Sequence, residues 1–354
     1  NEQLIRDLEP TSEQTGMAAK VFAVPELISL LRNDPPDFLV LCSSLAARKP
    51  GRGQVVHAAN CAVLDAIAQT EDAPFPIMSV NWCSWRDIGV AHDIWITPVQ
   101  ETGLSHPILE KQQHMANGSV RYVGTLDASR HWVVREHILN GLPTLPGTAV
   151  IDLLLTAHRE LVGEADSIQG ISIEPLVFLS ALQLDQGATK QFVISLMDSG
   201  DGVLARIEGV NADGSFTLCA RGVIKTAAIP EMSIRSVDLT PDTENPLPTL
   251  PSTNFLKLGD RWNCLTLLKN DDGKKRAMAR LGKSYQGDMQ DVTIHPALLD
   301  MVASIHAFSE PKIPVGYGAF RQYAPFGDCI VSVCESLQQD ANNVLRLNLQ
   351  LLDE

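Results

Sequence analysis

A chain of 354 residues with 45% apolar and 20% charged residues is long enough for two or three globular units, and too evenly mixed to be fibrous or disordered. Its formal net charge of −14 argues against nucleic acid as the main partner, and no apolar run or signal-like start points to a membrane. The composition predicts a soluble cytoplasmic protein, with seven cysteines that form no CxxC pair and act mostly as reduced core fillers.

The first hundred residues predict an α/β segment. Asp37-Phe38-Leu39-Val40-Leu41-Cys42-Ser43-Ser44 reads as a buried parallel strand, a helix runs from about Gln54 to Gln69, and Pro76–Val80 reads as a second strand. The runs FLVLCSS, GQVVHAANCAVLDAIA and VNWCSW resemble the C-terminal half of a polyketide ketoreductase. That resemblance implies a Ser, a Tyr thirteen residues on and an Asn four further; here Ser44 is followed by His57 and Cys61, with Asn60 one residue short. No strand–GxGxxG–helix precedes residue 37. Residues 1–100 are therefore expected to be a partial Rossmann-like, ketoreductase-like segment that neither binds NADPH nor catalyses.

From Leu104 the pattern changes. His106-Pro107-Ile108-Leu109 is extended, Ser119–Leu126 alternates like a half-buried strand, and Trp132-Val133-Val134 leads to His137 across a predicted strand. His137, Gly141 and Pro146 form H-x3-G-x4-P, and the run from Gly147 to Leu161 is apolar almost all round, as in a helix buried on every side. Pro146 suits the start of such a helix, because it has no N–H to leave unpaired. This places a histidine beside a tight glycine turn and a helix N-terminus with free N–H groups. A carbonyl bound at the N–H groups of Gly147 and Thr148 would be polarised while His137 removed a nearby proton. Strand-like runs follow at Ile168–Phe178, Gln191–Met197, Val203–Val210 and Phe216–Lys225, bounded by Gly, Asp and Asn turns.

Ala227–Thr253, with five prolines, reads as a linker. Strands are expected at Trp262–Leu268 and Arg276–Leu281, a buried helix over His295–Phe308, and closing strands at Val315–Tyr323, Asp328–Glu335 and Val344–Leu352. Lys269–Lys283 reads as a solvated hairpin end, or as a basic surface for an acidic partner. Pattern alone predicts α+β.

The helix over His295–Phe308 opens with His295-Pro296-Ala297-Leu298-Leu299-Asp300. This motif and H-x3-G-x4-P, roughly 160 residues apart and in this order, resemble the dehydratase domain of modular polyketide and fatty acid synthases. The resemblance implies a double hot-dog, two antiparallel sheets each wrapping a helix, with a first hot-dog over 104–226, a linker over 227–253 and a second hot-dog over 254–354. It implies a hydro-lyase that eliminates water from a 3-hydroxyacyl thioester, with His137 as base, Asp300 as acid, and Gly141, Pro146, Gly147, Thr148 and Ser304 around the substrate. An imidazole, with an ordinary pKa near ~6.5, serves as base when neutral, whereas a carboxyl at ~3.9 must be raised by burial to donate. No bound cofactor or metal is implied: the substrate rides on the phosphopantetheine of an acyl carrier protein. Neighbouring synthase domains are the other expected partners, and homodimerisation follows from the resemblance alone.

The chain departs from that family at three places. Ser304 stands where the family has Gln or His to orient the aspartate. Leu258-Gly259-Asp260-Arg261-Trp262 replaces YGPxF and loses its tyrosine hydroxyl. Ile313-Pro314-Val315-Gly316-Tyr317 stands for LPFxW. The same fold and pair would also suit a cyclase or isomerase, and an inactive scaffold is the remaining alternative.

Overall fold

The computed structural model describes residues 17–51, 54–70, 73–83, 85, 98–163, 170–185, 187–228, 247, 255–271, 274–306, 312–340 and 344–353. The expected linker over 227–253 falls mostly outside them, whereas the helix expected over His295–Phe308 ends within them at Ala303 and turns over 304–306. The chain divides into two compact units, Asn1–Thr97 and Pro98–Glu354.

In the first unit a π-helical turn, Ala18–Phe22, runs into α1 (Ala23–Leu31), followed by β1 (Leu39–Ser44), α2 (Val55–Ile67) and β2 (Ile77–Trp82). The two strands pair in parallel, Leu39 against Ile77 through Ser44 against Trp82. α2 buries Cys61 and Leu64, and its Asp65 accepts hydrogen bonds from Ser79 Oγ at 2.7 Å and Asn81 Nδ2 at 3.2 Å. Parallel strands are ordinarily covered on both faces, yet Phe38, Val40, Met78 and Trp82 are exposed.

The second unit begins with β3 (Pro98–Gly103), so residues 98–100 belong to it and not to the α/β segment. β4 (Leu109–Met115) and β5 (Val120–Asp127) follow, then α3 (Trp132–Arg135), β6 (His137–Leu139), β7 (Leu142–Pro143) and α4 (Gly147–Val162). Between His131 and His137 the expected strand is instead the helical turn α3. The expected strand Ile168–Phe178 is broken at Pro175, which has no N–H to give a ladder, into β8 (Gly170–Ile173) and β9 (Leu176–Phe178). β10 (Thr189–Asp198), β11 (Val203–Val210) and β12 (Phe216–Ala227) complete the run. After residue 254 come β13 (Leu256–Leu258), a 3₁₀ turn at Asp260–Trp262, β14 (Leu265–Asp271), β15 (Lys274–Arg280) and a longer 3₁₀ segment, Lys283–Gln290. α5 (Pro296–Ala303), β16 (Gly316–Tyr317), β17 (Phe320–Gln322), β18 (Cys329–Gln339) and β19 (Leu345–Asp353) close the chain.

Two sheets each pack on a helix. The larger runs β16-β9-β12-β11-β10-β5-β4-β3, with β8 joining β12 to β17; the smaller runs β14-β15-β18-β19. Every pairing in this unit is antiparallel. α4 is buried nearly all round, through Ala149, Val150, Ile151, Leu153, Leu154, Leu155 and Ala157. α5 is only two turns long and buries Ala297, Leu298, Leu299, Met301 and Val302. The halves interlock, because β16 and β17 leave the second half to pair with β9 and β8 of the first. One large hydrophobic core accordingly spans both halves from Leu109 to Ile330, with a small second cluster of Ala277, Ile305 and Cys334. Among the described residues no helix is long and apolar enough to cross a membrane.

Polar ties fix α4 against the segment leading into α5. Thr148 Oγ1 donates to Pro296 O at 3.0 Å, and Asp152 Oδ1 accepts the N–H groups of Thr293 at 2.7 Å and Ile294 at 3.0 Å. Burial pushes the Asp152 carboxyl up to about 7 against the pull of those two N–H groups. Because the folded-state value lies above the unfolded one, this carboxyl favours folding below about pH 4, and the benefit is lost as pH rises through 7. Asp152→Asn keeps the acceptor oxygen and removes the titration. Chemical denaturation should show the variant gaining on the wild type by on the order of 3–4 kcal/mol between pH 4 and 8.

Candidate active site

His137 opens β6, and the hairpin from β6 to β7 closes through Asn140 (φ 53) and Gly141 (φ 81). Two successive positive φ angles make the two-residue turn that Asn-Gly favours. The hairpin brings the Thr144 carbonyl to 2.9 Å from His137 Nδ1. A carbonyl oxygen only accepts, so Nδ1 carries the hydrogen and the neutral ring presents an unprotonated Nε2. On its other side β6 pairs with β13, Leu258 opposite His137, and Gly259 N–H donates to Glu136 O at 2.8 Å. His137 is thus held by a strand from each half.

α4 begins at Gly147, after Pro146 in extended conformation (ψ 150). The first N–H groups bonded back are those of Ala149 at 3.0 Å and Val150 at 3.2 Å, both on Pro146 O. Gly147 packs under Phe178, whose ring atom Cζ would lie 2.9 Å from an added Cβ. Gly147→Ala gains less than about 1 kcal/mol of helix preference, whereas overpacking costs about 1–3 kcal/mol. Thermal unfolding should show the variant net destabilised by about 1 kcal/mol.

Asp300 sits mid-way along α5. Its Oδ2 accepts the Trp262 indole N–H at 2.8 Å. Burial raises its pKa; the neighbouring His137 charge and the Trp262 N–H oppose that without reversing it. Burial beside Asp300 also raises the Tyr317 phenol, and it pushes the Cys264 thiol up to about 12. Trp262 stands between the two groups, its ring 5.7 Å from the His137 ring.

His137, Pro146, Gly147, Asp300 and Ser304 line one cavity of about 280 Å³ whose remaining wall is mostly aliphatic and aromatic. Two expected site residues are elsewhere. Gly141 is exposed at the hairpin tip, where its positive φ serves the turn, and Thr148 is buried off the cavity with its hydroxyl on Pro296 O.

Behind the cavity lies an ionic cluster that no sequence motif marked. Arg261 bonds Glu136 through its guanidinium, and its backbone N–H donates to Glu136 Oε2 at 2.9 Å. Arg261 Nε reaches Asp288 Oδ2 at 2.6 Å, and the guanidinium lies over Trp132 at 4.8 Å and over Tyr285 at 4.5 Å. Although burial acts to raise Asp288, the nearby His295 ring, 3.7 Å away, and the bonded Arg261 guanidinium hold it below the usual carboxylate range. His295, fully buried and its pKa lowered by that burial, stacks on Trp132 at 4.9 Å.

In the first unit, the Ser44 hydroxyl accepts the Ala46 N–H at 3.2 Å as a turn cap. Cys61, fully buried, has His57 Nε2 at 3.7 Å and Lys20 Nζ at 3.3 Å from its sulfur.

Comparison with known proteins agrees with this fold. Residues 106–207 match the family described as polyketide synthase dehydratase domain, and residues 1–87 match the KR domain. Polyketide synthase ThaG of Burkholderia thailandensis is 40% identical over 76 residues, which is 21% of this chain and 1% of ThaG. Polyketide synthase PksN of Bacillus subtilis is 28% identical over 127 residues, 35% of this chain and 2% of PksN. The chain thus spans a small fraction of the curated relatives it matches. Among solved structures, the dehydratase domain from the CurF module of curacin polyketide synthase superposes with a TM-score of 0.55 at 16% identity, covering 71% of this chain and 99% of that one. The bifunctional dehydratase-cyclase domain of ambruticin biosynthesis gives 0.55 at 20% identity, covering 72% and 93%. The double hot-dog expected from the sequence is the fold of these domains.

Proposed function

We propose, for a chain that carries a polyketide synthase dehydratase region of double hot-dog fold behind a ketoreductase-type segment, that it eliminates water from a 3-hydroxyacyl thioester. The observation that carries this reading is one mostly apolar cavity lined by both a histidine whose Nδ1 is engaged by the Thr144 carbonyl and a carboxyl whose pKa burial raises. A ring nitrogen able to accept a proton and a carboxyl able to donate one would supply a base and an acid together.

In the proposed reaction His137 Nε2 takes the proton from Cα. The electron pair forms the Cα–Cβ double bond, and the C–O bond at Cβ breaks as Asp300 protonates the departing hydroxyl to water. The thioester oxygen gains negative charge on the way, and the N–H of Gly147 at the start of α4 would donate a hydrogen bond to it. The enzyme is left with an imidazolium and a carboxylate, and proton return between them restores the starting state. The mostly apolar wall suits an acyl chain presented on a phosphopantetheine arm by an acyl carrier protein. Adjacent synthase domains would supply the hydroxyacyl substrate and receive the enoyl product.

The test is mass spectrometry of 3-hydroxyacyl groups, on carrier protein or pantetheine, in both hydroxyl configurations. Loss of 18 mass units supports the dehydratase reading. A change in retention without mass loss supports cyclisation or isomerisation. No change with any substrate supports an inactive scaffold.

A further inference from the structure

Resting on the dehydratase reading, we propose that Trp262 is a positioning residue for the acid: its indole N–H fixes Asp300 Oδ2, so that Oδ1 carries the proton delivered to the substrate. An indole N–H can only donate, and a protonated carboxyl has one carbonyl-type oxygen and one hydroxyl. The 2.8 Å bond therefore selects Oδ2 as the carbonyl-type oxygen and removes the rotational ambiguity of the acid.

Trp262 is itself firmly held. It is fully buried, its N–H backbone bonds to Gly259 O at 3.1 Å, and its ring meets Trp132 edge-on at 5.9 Å. The preceding residue, Arg261, is bonded to Glu136 next to the base and to Asp288. The donor to the acid and the strand bearing the base are thus parts of one clamp. Ser304, with a side chain too short to match an amide, stands one helical turn after Asp300 and lines the same cavity.

Trp262→Phe keeps an aromatic ring and removes the donor. It is expected to lower kcat by about tenfold to thirtyfold with KM changed by less than about threefold. Because the lost N–H favoured the carboxylate, the alkaline limb of the kcat profile moves to higher pH. Adding Ser304→Gln to Trp262→Phe supplies an amide donor one turn away and is expected to restore most of kcat and return the limb. A variant that merely unfolds would not be rescued this way.

A second measurement does not require turnover. The Trp262 indole resonance, assigned by its loss in Trp262→Phe, is followed against pH in nitrogen–proton spectra of the whole chain. His137, Tyr317 and Cys264 also face Asp300, so the titration is repeated in Asp300→Asn, and the component expected to vanish there is that of the carboxyl. An indole resonance indifferent to Asp300→Asn overturns the proposal whatever the activity. Retention of wild-type kcat in Trp262→Phe overturns it while leaving the dehydratase reading intact. Inactivity of the wild type on every substrate overturns that reading, and the acid role with it.

Discussion

On the proposed function, Asp300→Asn is expected to lower kcat for water loss by about 10³-fold with little change in KM, because the amide matches the carboxyl in shape but has no acidic proton to give. His137→Ala is expected to lose about as much, since among the described residues no other histidine lines the cavity. The two groups serve one step, so the double variant should fall hardly further than either alone. Independent roles would instead multiply the losses. Asp300→Asn should also abolish the alkaline limb of the pH profile, which reports loss of the acid's proton. Timed mass spectrometry of the enoyl product measures all three variants.

Arg261→Ala should be the most destabilising single change around the site. It leaves Glu136 and Asp288, each mostly buried, as facing carboxylates without their shared cation, and it strips the cation from the faces of Trp132 and Tyr285. Breaking a buried pair costs about 3–5 kcal/mol; with these side chains 14–19% exposed, about 2–3 kcal/mol is expected. Arg261→Lys should recover less than half of it, because one ammonium cannot serve two carboxylates and two ring faces as a planar fork does. Urea denaturation measures the loss. The kcat of Arg261→Ala should fall by about tenfold or more, since both His137 and Trp262 hang on this clamp.

The sequence was most legible where function sits on local spacing. H-x3-G-x4-P set the turn, the base and the start of α4 within ten residues, and the apolar run after Gly147 announced a buried helix. HPALLD did the same for α5. Side-chain alternation placed β5, β10, β11 and β12 within a few residues, because one face of each strand is packed on the helix layer. What stayed hidden depends on residues far apart in the chain. Nothing near Trp262 says that its N–H meets Asp300, and Arg261, Glu136 and Asp288 look like ordinary surface charges until the fold gathers them. Asp152 drew no reading from the sequence, and its partners are backbone N–H groups that carry no sequence signature. Gly141 and Thr148 came in with the motif and the helix start; neither lines the cavity, Gly141 serving the turn and the Thr148 hydroxyl bonding Pro296 O. The exchange of β16 and β17 into the first sheet was likewise invisible, since strand periodicity does not name a partner.

That exchange has a bearing on how the protein is made. Strands β8 and β9 leave the ribosome long before Gly316–Gln322 exists, and at ~5–20 residues per second the wait is on the order of ten seconds. During it the nascent first sheet carries an open margin beside apolar Ile173 and Leu176, which the finished protein buries completely. A message truncated before Gly316 would yield a product with that margin permanently open, prone to pairing with its own copies, whereas the complete chain seals it with its own late-emerging segment.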